Sequence, residues 1–227
     1  FGRLRGAGVL VPSQAVLQRW GYLAPTHVAP WGPAPVHVMP CMVPLPSGHG
    51  SYEGPFLHLA TLNPWKGHMD LLQALHRLAQ AQPQAPVDIV SCGVVGNASL
   101  HRQVQAMVPA LGLAERFRLA PYTPDPTPLL RDCRAVLVPS VSHSGGPETF
   151  GRTVIEAWAF RKPVIAYATG APAQMVRHGV DGLLVPEGDI AALADALWQL
   201  HQSPELCRRL GEAGHGRFAQ EFEAGVV

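Results

Sequence analysis

From position 56 onward, short apolar runs alternate with longer stretches in which apolar residues recur every three or four positions. The runs at 56–60, 87–92, 117–119, 135–138, 163–166 and 182–185 are too short for helices. Most lack the alternating polar positions of a half-exposed strand, so they predict strands buried on both faces. The stretches between them predict helices at 68–82, 99–111, 127–133, 152–160, 171–178 and 190–201, followed by a last helix at 204–218. Leu71, Leu72, Leu75 and Leu78 lay an apolar stripe along the first of these. Ser203 and Pro204 stand where an N-cap and a first helical residue belong. Strand and helix in strict alternation predict an α/β fold: a Rossmann-like parallel sheet with helices on both faces.

Ligands of such sheets sit outside the carboxyl ends of the strands, which selects four loops. The first, TLNPWKGHMD, places Lys66 just ahead of a helix. The second, SCGVVGNAS, carries Gly93 and Gly96, which let backbone approach a ligand closely. The third, APYTPDPTP, carries Tyr122. The fourth, PSVSHSGGPETFG, runs into a helix start at Gly151, Arg152 and Thr153, where free amides and the positive end of a helix dipole suit a phosphate. Two carboxylates bracket that turn, Glu148 in the loop and Glu156 in the helix, with seven residues between them. An ionised acid accepts two or more O–H bonds at once, which suits sugar hydroxyls. The residues therefore point to a ligand with both phosphates and sugars, its diphosphate met by Lys66, Arg152 and the amides of the helix start.

Each residue also has a plainer reading. Lys66 fits a solvated surface lysine, and Arg152 a surface ion pair. Glu156 is a solvated acid if its side of the helix faces out, although Val154, Ile155, Ala157 and Trp158 around it favour burial. Glu148 also fits a simple acceptor of backbone N–H bonds, Gly93 and Gly96 a turn, and Tyr122 an exposed loop. Trp158 suits the core. The topology weighs against these readings, because it brings all four loops to one edge.

Composition removes other classes. The chain has 227 residues, 47% apolar and 15% charged, with a net charge of +1, so bulk electrostatics point to neither nucleic acid nor a membrane surface. No apolar run approaches the length of a membrane span. Four cysteines without a CxxC pair suit a reduced, cytoplasmic setting. Eleven histidines fall at no ligand spacing, so no metal is expected. Lys66 and Lys162 are the only lysines among 17 basic residues, a hint that the compact ammonium is wanted where it is kept.

The first fifty residues differ in character. A strand is predicted at 9–12, a helix at 14–20 capped by Ser13, and a strand at 36–39, amid Pro- and Gly-rich sequence. One strand–helix–strand unit cannot bury its own core. Residues 1–50 are therefore expected to be the remnant of a preceding domain and a linker, residues 51–203 the main domain, and 204–227 a C-terminal helix. An N-terminal arm of the main domain is the alternative.

At this point the segment from PSVSHSGGPETFG through RTVIEAWAFRKPVIA to GLLVPEGD resembles the C-terminal domain of the retaining glycosyltransferases of family 4, which have the GT-B fold. The resemblance rests on the two glutamates with Phe-Gly and Glu-Ala between and after them, the Lys-Pro-Val-Ile strand, and the Lys-Gly helix start in WKGHMDLLQAL. It covers about 56–200. It implies transfer of a sugar from a nucleotide-diphosphate sugar, UDP- or GDP-linked, to an acceptor, with retention and without a metal or other cofactor. Carried over, Glu148 contacts the donor sugar and Glu156 the ribose. The amides of Phe150 and Gly151 touch the sugar, and Thr149, Thr153, Gly93 and Tyr122 are further substrate-binding residues. Lys66 and Arg152 act with Glu148 in catalysis. Departures are Thr61 where the family often has an arginine, Pro121 where a glycine is common, and Gln174 where an acid is usual. The implied partners are the donor, an acceptor and the missing N-terminal domain, through which alone a peripheral membrane contact is expected. Alternatives on the same fold are a nucleotide-sugar epimerase and a non-catalytic binding module.

Overall fold

The computed structural model describes residues 50–143, 148 and 151–222, together with the backbone of four short strands, Val9–Val11, Val28–Ala29, Gly32–Pro33 and Val36–Val38. Within that N-terminal part, Val9–Val11 pairs in parallel with Val36–Val38, where two strands are expected. The helix expected at 14–20 and its cap Ser13 lie outside the described residues.

Among its described residues the main domain contains six strands, β1 (Phe56–Leu59), β2 (Ile89–Cys92), β3 (Phe117–Ala120), β4 (Val136–Val138), β5 (Val164–Tyr167) and β6 (Gly182–Val185). Seven helices accompany them: α1 (His68–Ala81), α2 (Ala98–Ala110), α3 (Thr127–Asp132), α4 (Arg152–Ala159), α5 (Gly170–Met175), α6 (Ile190–Gln202) and α7 (Pro204–Glu221). All six strands run parallel in the order β3-β2-β1-β4-β5-β6. The sequence-based expectation of a doubly covered parallel sheet is met.

Successive strand residues point to opposite faces, and each face finds its own helices. Phe56, Ile89, Leu137 and Ile165 pack with Leu71, Leu75, Leu197 and Leu200 of α1 and α6. Their neighbours Leu57, Val90, Val136 and Val164 pack with Val154, Trp158 and Phe218 of α4 and α7. Unbroken apolar strands are thus explained by two buried faces rather than one.

Two local departures have identifiable causes. The helix expected at 171–178 stops at Met175, because the fully buried Asp181 carboxylate takes the Arg177 N–H at 2.7 Å and turns the chain toward β6. A 3-10 turn, Pro64–Lys66, precedes α1, with Pro64 at its first position. Between it and α1, Gly67 takes φ 75°, and a Cβ there would meet the Pro139 carbonyl oxygen at 2.0 Å. Only glycine fits both the conformation and the approach.

The opposite, amino-terminal edge of the sheet holds the second lysine. Lys162 is buried, donates to the Ser51 carbonyl at 2.5 Å and lies 4.7 Å from the centre of the Tyr52 ring. Tyr52 in turn donates to the Arg161 carbonyl at 2.9 Å. Residues 51 and 52 are thereby pinned beneath β5.

Candidate donor-binding site at the strand carboxyl edge

The chain lays β1, β2 and β3 outward on one side, then returns to place β4 on the other flank of β1. At such a reversal the loops leaving β1 and β4 diverge to opposite faces and open a crevice between the strand ends. Lys66 comes from the loop after β1 and Glu148 from the loop after β4. They meet there as a direct ion pair, with side chains 16% and 13% exposed. The Lys66 ammonium also lies 3.9 Å from the centre of the Trp65 ring. The two loops are stitched together by the Val141 N–H to the Trp65 carbonyl at 2.8 Å.

Beyond Glu148 the chain enters α4 through Gly151, whose φ of 65° is left-handed and which offers no side-chain cap. No acidic residue stands in the first turn of α4. The positive end of the helix is therefore left to the amides of Arg152 and Thr153, a few residues beyond Glu148. Arg152 Nε donates to Glu156 Oε1 at 2.7 Å, one turn on, with Arg152 69% exposed and Glu156 19%. Burial of Glu156 is thus substantial, as its apolar neighbours suggest. Thr149 and Phe150 lie outside the described residues.

Under the Lys66 loop is a polar pair that sequence reading left unused. His58, in the middle of β1, is 1% exposed and bonds Ser91 Oγ of β2 through Nδ1 at 3.1 Å. Its ring meets that of His68, also 1% exposed, edge-on at 4.4 Å between centroids. Among the described residues neither ring nitrogen of His68 has a hydrogen-bond partner. Burial, the neighbouring His68 and the Lys66 charge hold the His58 pKa well below its usual range, and burial with Lys66 lowers that of His68 to about 4. Both are neutral at ordinary pH. A histidine enclosed by leucines in FLHLA was the available signal.

The remaining expected residues are spread along the same edge. Gly93 makes a close backbone approach, to the Ala60 carbonyl, where a Cβ would fall at 2.0 Å. The Leu62 N–H to Val94 carbonyl bond, 2.8 Å, joins the same two loops. Tyr122 stands further out, on the loop after β3, and is 61% exposed beside a chain segment whose Pro121 carbonyl accepts from Cys92 Sγ. Glu187, in the loop after β6, is an unanticipated member. Its Oε1 accepts from Ser142 N at 2.6 Å and Ser142 Oγ at 2.8 Å, with His143 Nδ1 at 3.5 Å. Burial works against its charge, but the Ser142 and His143 donors outweigh it and hold the carboxyl below its usual range. The acid in VPEGD at the end of the sixth strand was the sequence signal for it. Among the described residues no three His, Cys, Asp or Glu side chains group as metal ligands, and no helix is long and apolar enough to cross a membrane.

Residues 48–217 match the family model described as "Glycosyl transferases group 1". The chain is 30% identical over 155 residues to the lipopolysaccharide core biosynthesis glycosyltransferase LpsE of Rhizobium meliloti, covering 68% of this chain and 44% of that one. It is 35% identical over 168 residues to the D-inositol 3-phosphate glycosyltransferase of Salinispora tropica, covering 71% and 33%. Among solved structures, HepE of Anabaena in complex with UDP-glucose superposes with a TM-score of 0.66 at 28% identity, over 74% of this chain and 44% of that one. A glycosyltransferase from Rickettsia africae gives a TM-score of 0.80 at 20% identity, over 98% and 61%, which establishes shared fold. The chain spans less than half the length of the two curated relatives named.

Proposed function

Because the chain belongs to the group 1 glycosyl transferases, we propose that it forms the donor-binding half of an enzyme of the retaining, family 4 type, which moves a sugar from a nucleoside diphosphate to an acceptor. The observation that carries this reading is the Lys66–Glu148 ion pair over the β1/β4 crevice, beside the uncapped start of α4. A cation, a carboxylate and a helix amino end within one crevice are what a sugar diphosphate asks for. The UDP-glucose seen with HepE supports the choice of ligand.

In this reading Lys66, Arg152 and the amides of Gly151 and Thr153 receive the diphosphate. Thr149, Phe150 and the Glu148 carboxylate hold the sugar hydroxyls, and Glu156 holds the ribose. The loops of Gly93 and Tyr122 border the base. As the bond from the anomeric carbon to the diphosphate oxygen breaks, negative charge grows on the leaving phosphate, and preorganised positive groups favour that state over the ground state. Lys66, Arg152 and the helix dipole supply that charge from the protein itself, so no cofactor is invoked. The acceptor hydroxyl attacks from the same face as the departing phosphate, which takes its proton, and configuration is retained. Residues 1–50 fit the end of an acceptor-binding half and its linker, and the acceptor is chosen by the rest of that half. Cys92, Cys133 and Cys207 are free and buried, which fits a reducing cytoplasmic setting.

Calorimetric titration with UDP- and GDP-sugars tests the reading. One of them should bind, and Glu156→Ala should weaken that binding. Silence with both donors, and a variant indistinguishable from the parent, would sink the idea.

A further inference from the structure

The loop that carries Glu148 is held from behind by α5, a helix of only six residues. A helix that short has no stability of its own and takes its position from tertiary contacts. At its start, Ala171 N–H donates to the Glu148 carbonyl at 2.7 Å. At its end, Met175 fills the space in front of Gly151, where a Cβ would lie 2.3 Å from Met175 Sδ and 3.6 Å from Ala171 Cβ. The start of α5 thus holds Glu148, and its end faces Gly151.

Beyond the burial of Ala171 and Pro172, the carboxyl end of α5 is gripped by one guanidinium on α7. Arg217 Nη1 donates to the Met175 carbonyl, the last of α5. Its Nε donates to both carboxylate oxygens of Glu221, at 3.1 and 3.0 Å, and Nη1 lies 3.8 Å from Oδ2 of the buried Asp181. The guanidinium also faces the Trp158 ring of α4 at 5.3 Å. Trp158 is itself fixed by an indole N–H to the Asp181 carbonyl at 2.9 Å. Arg217 therefore touches the two helices that frame the Gly151 turn, α5 through a hydrogen bond and α4 through its ring.

We infer that Arg217 is a positioning residue for the donor site, acting through Met175 on Gly151 and through Ala171 on Glu148. The inference rests on the nucleotide-sugar reading only for its consequence in binding; the positional claim stands on these contacts alone. A planar fork is needed to serve a carbonyl, two carboxylates and a ring together, so lysine does not replace it.

The test measures amide exchange and UDP affinity on the full chain for the parent, Arg217→Lys, Arg217→Gln and Met175→Ala. In the Arg217 variants, exchange at Ala171, Val154 and Ile155 should accelerate at least tenfold while that of α1 stays unchanged. UDP should bind at least tenfold more weakly in all three variants at a temperature where each is fully folded. Met175→Ala keeps the carbonyl bond and so carries the test if the Arg217 variants fold poorly. Local exchange and UDP affinity equal to the parent in both Arg217→Lys and Met175→Ala would overturn the inference. A parent that binds no UDP, with the exchange effect present, would instead overturn the nucleotide reading and leave the positioning role in place.

Discussion

The Lys66 ammonium and the Glu148 carboxylate, 82 residues apart in the chain, form an ion pair across the crevice between β1 and β4. Each neutralises the other where a ligand's opposite charge would sit. On the proposed reading, a diphosphate entering the crevice would compete with Glu148 for Lys66, and a sugar hydroxyl with Lys66 for Glu148.

That competition separates the two residues experimentally. Lys66→Ala should weaken UDP binding by about tenfold to a hundredfold, the loss of one charge-assisted bond. Glu148→Gln should leave UDP binding equal or tighter, since it releases Lys66, while removing the advantage of a UDP-sugar over UDP. Calorimetric titration of both variants with both ligands checks the signs; a weakening of UDP by Glu148→Gln comparable to that by Lys66→Ala would contradict the assignment.

Glu156 is expected to read the ribose. The parent should prefer UDP to its 2′-deoxy analogue, and Glu156→Ala should bind the two alike. Arg152→Ala frees Glu156 from its 2.7 Å partner and should weaken both nucleotides by the same factor. Competition titrations with the two nucleotides distinguish these outcomes.

The buried histidines set an acid limit. His58 and His68 are neutral when folded, with the His68 pKa about 4, and each takes up a proton on unfolding once the pH falls below about 6.5. Stability is then full above that pH and falls below it, by up to about 1.4 kcal/mol per pH unit for each histidine, the His68 contribution being complete near pH 4. His68→Leu removes two unpaired buried nitrogens, so it should raise stability by about 1–3 kcal/mol and flatten the acid limb. Urea unfolding at a series of pH values measures both effects.

Gly214 and Gly216 lie two residues apart on α7, on nearly opposite faces of the helix, and should respond oppositely to alanine. Alanine gains about 1 kcal/mol over glycine in a helix interior. At Gly216 a Cβ meets nothing within 4 Å, so the gain should appear. At Gly214 it would fall 2.2 Å from Trp158 Cδ1, and Trp158 is fully buried and hydrogen-bonded. Overpacking of that kind costs about 1–3 kcal/mol, enough to reverse the sign. Thermal melts of the two variants decide it.

Much of the site is legible in the order of residues because its parts are local. Apolar runs and leucine spacing mark the strands and α1, and PETFGRTVIE marks a loop entering a helix with two acids. The strand-edge rule then places Lys66 and Glu148 on one side of the sheet before any distance is known. Their direct pairing is another matter, since it depends on β4 returning beside β1.

The sequence by itself determined a doubly covered parallel sheet, the four loops at its carboxyl edge and the residue types those loops present, because periodicity and turn chemistry act over a few residues. Tertiary structure alone decided that His58 bonds Ser91, that Glu187 reaches Ser142, and that Arg217 grips Met175. These contacts join segments 33, 45 and 42 residues apart, and no local pattern encodes which distant partners packing will bring together. The Lys66–Glu148 pair belongs to both accounts: its members come from local sequence, and their meeting comes from the fold.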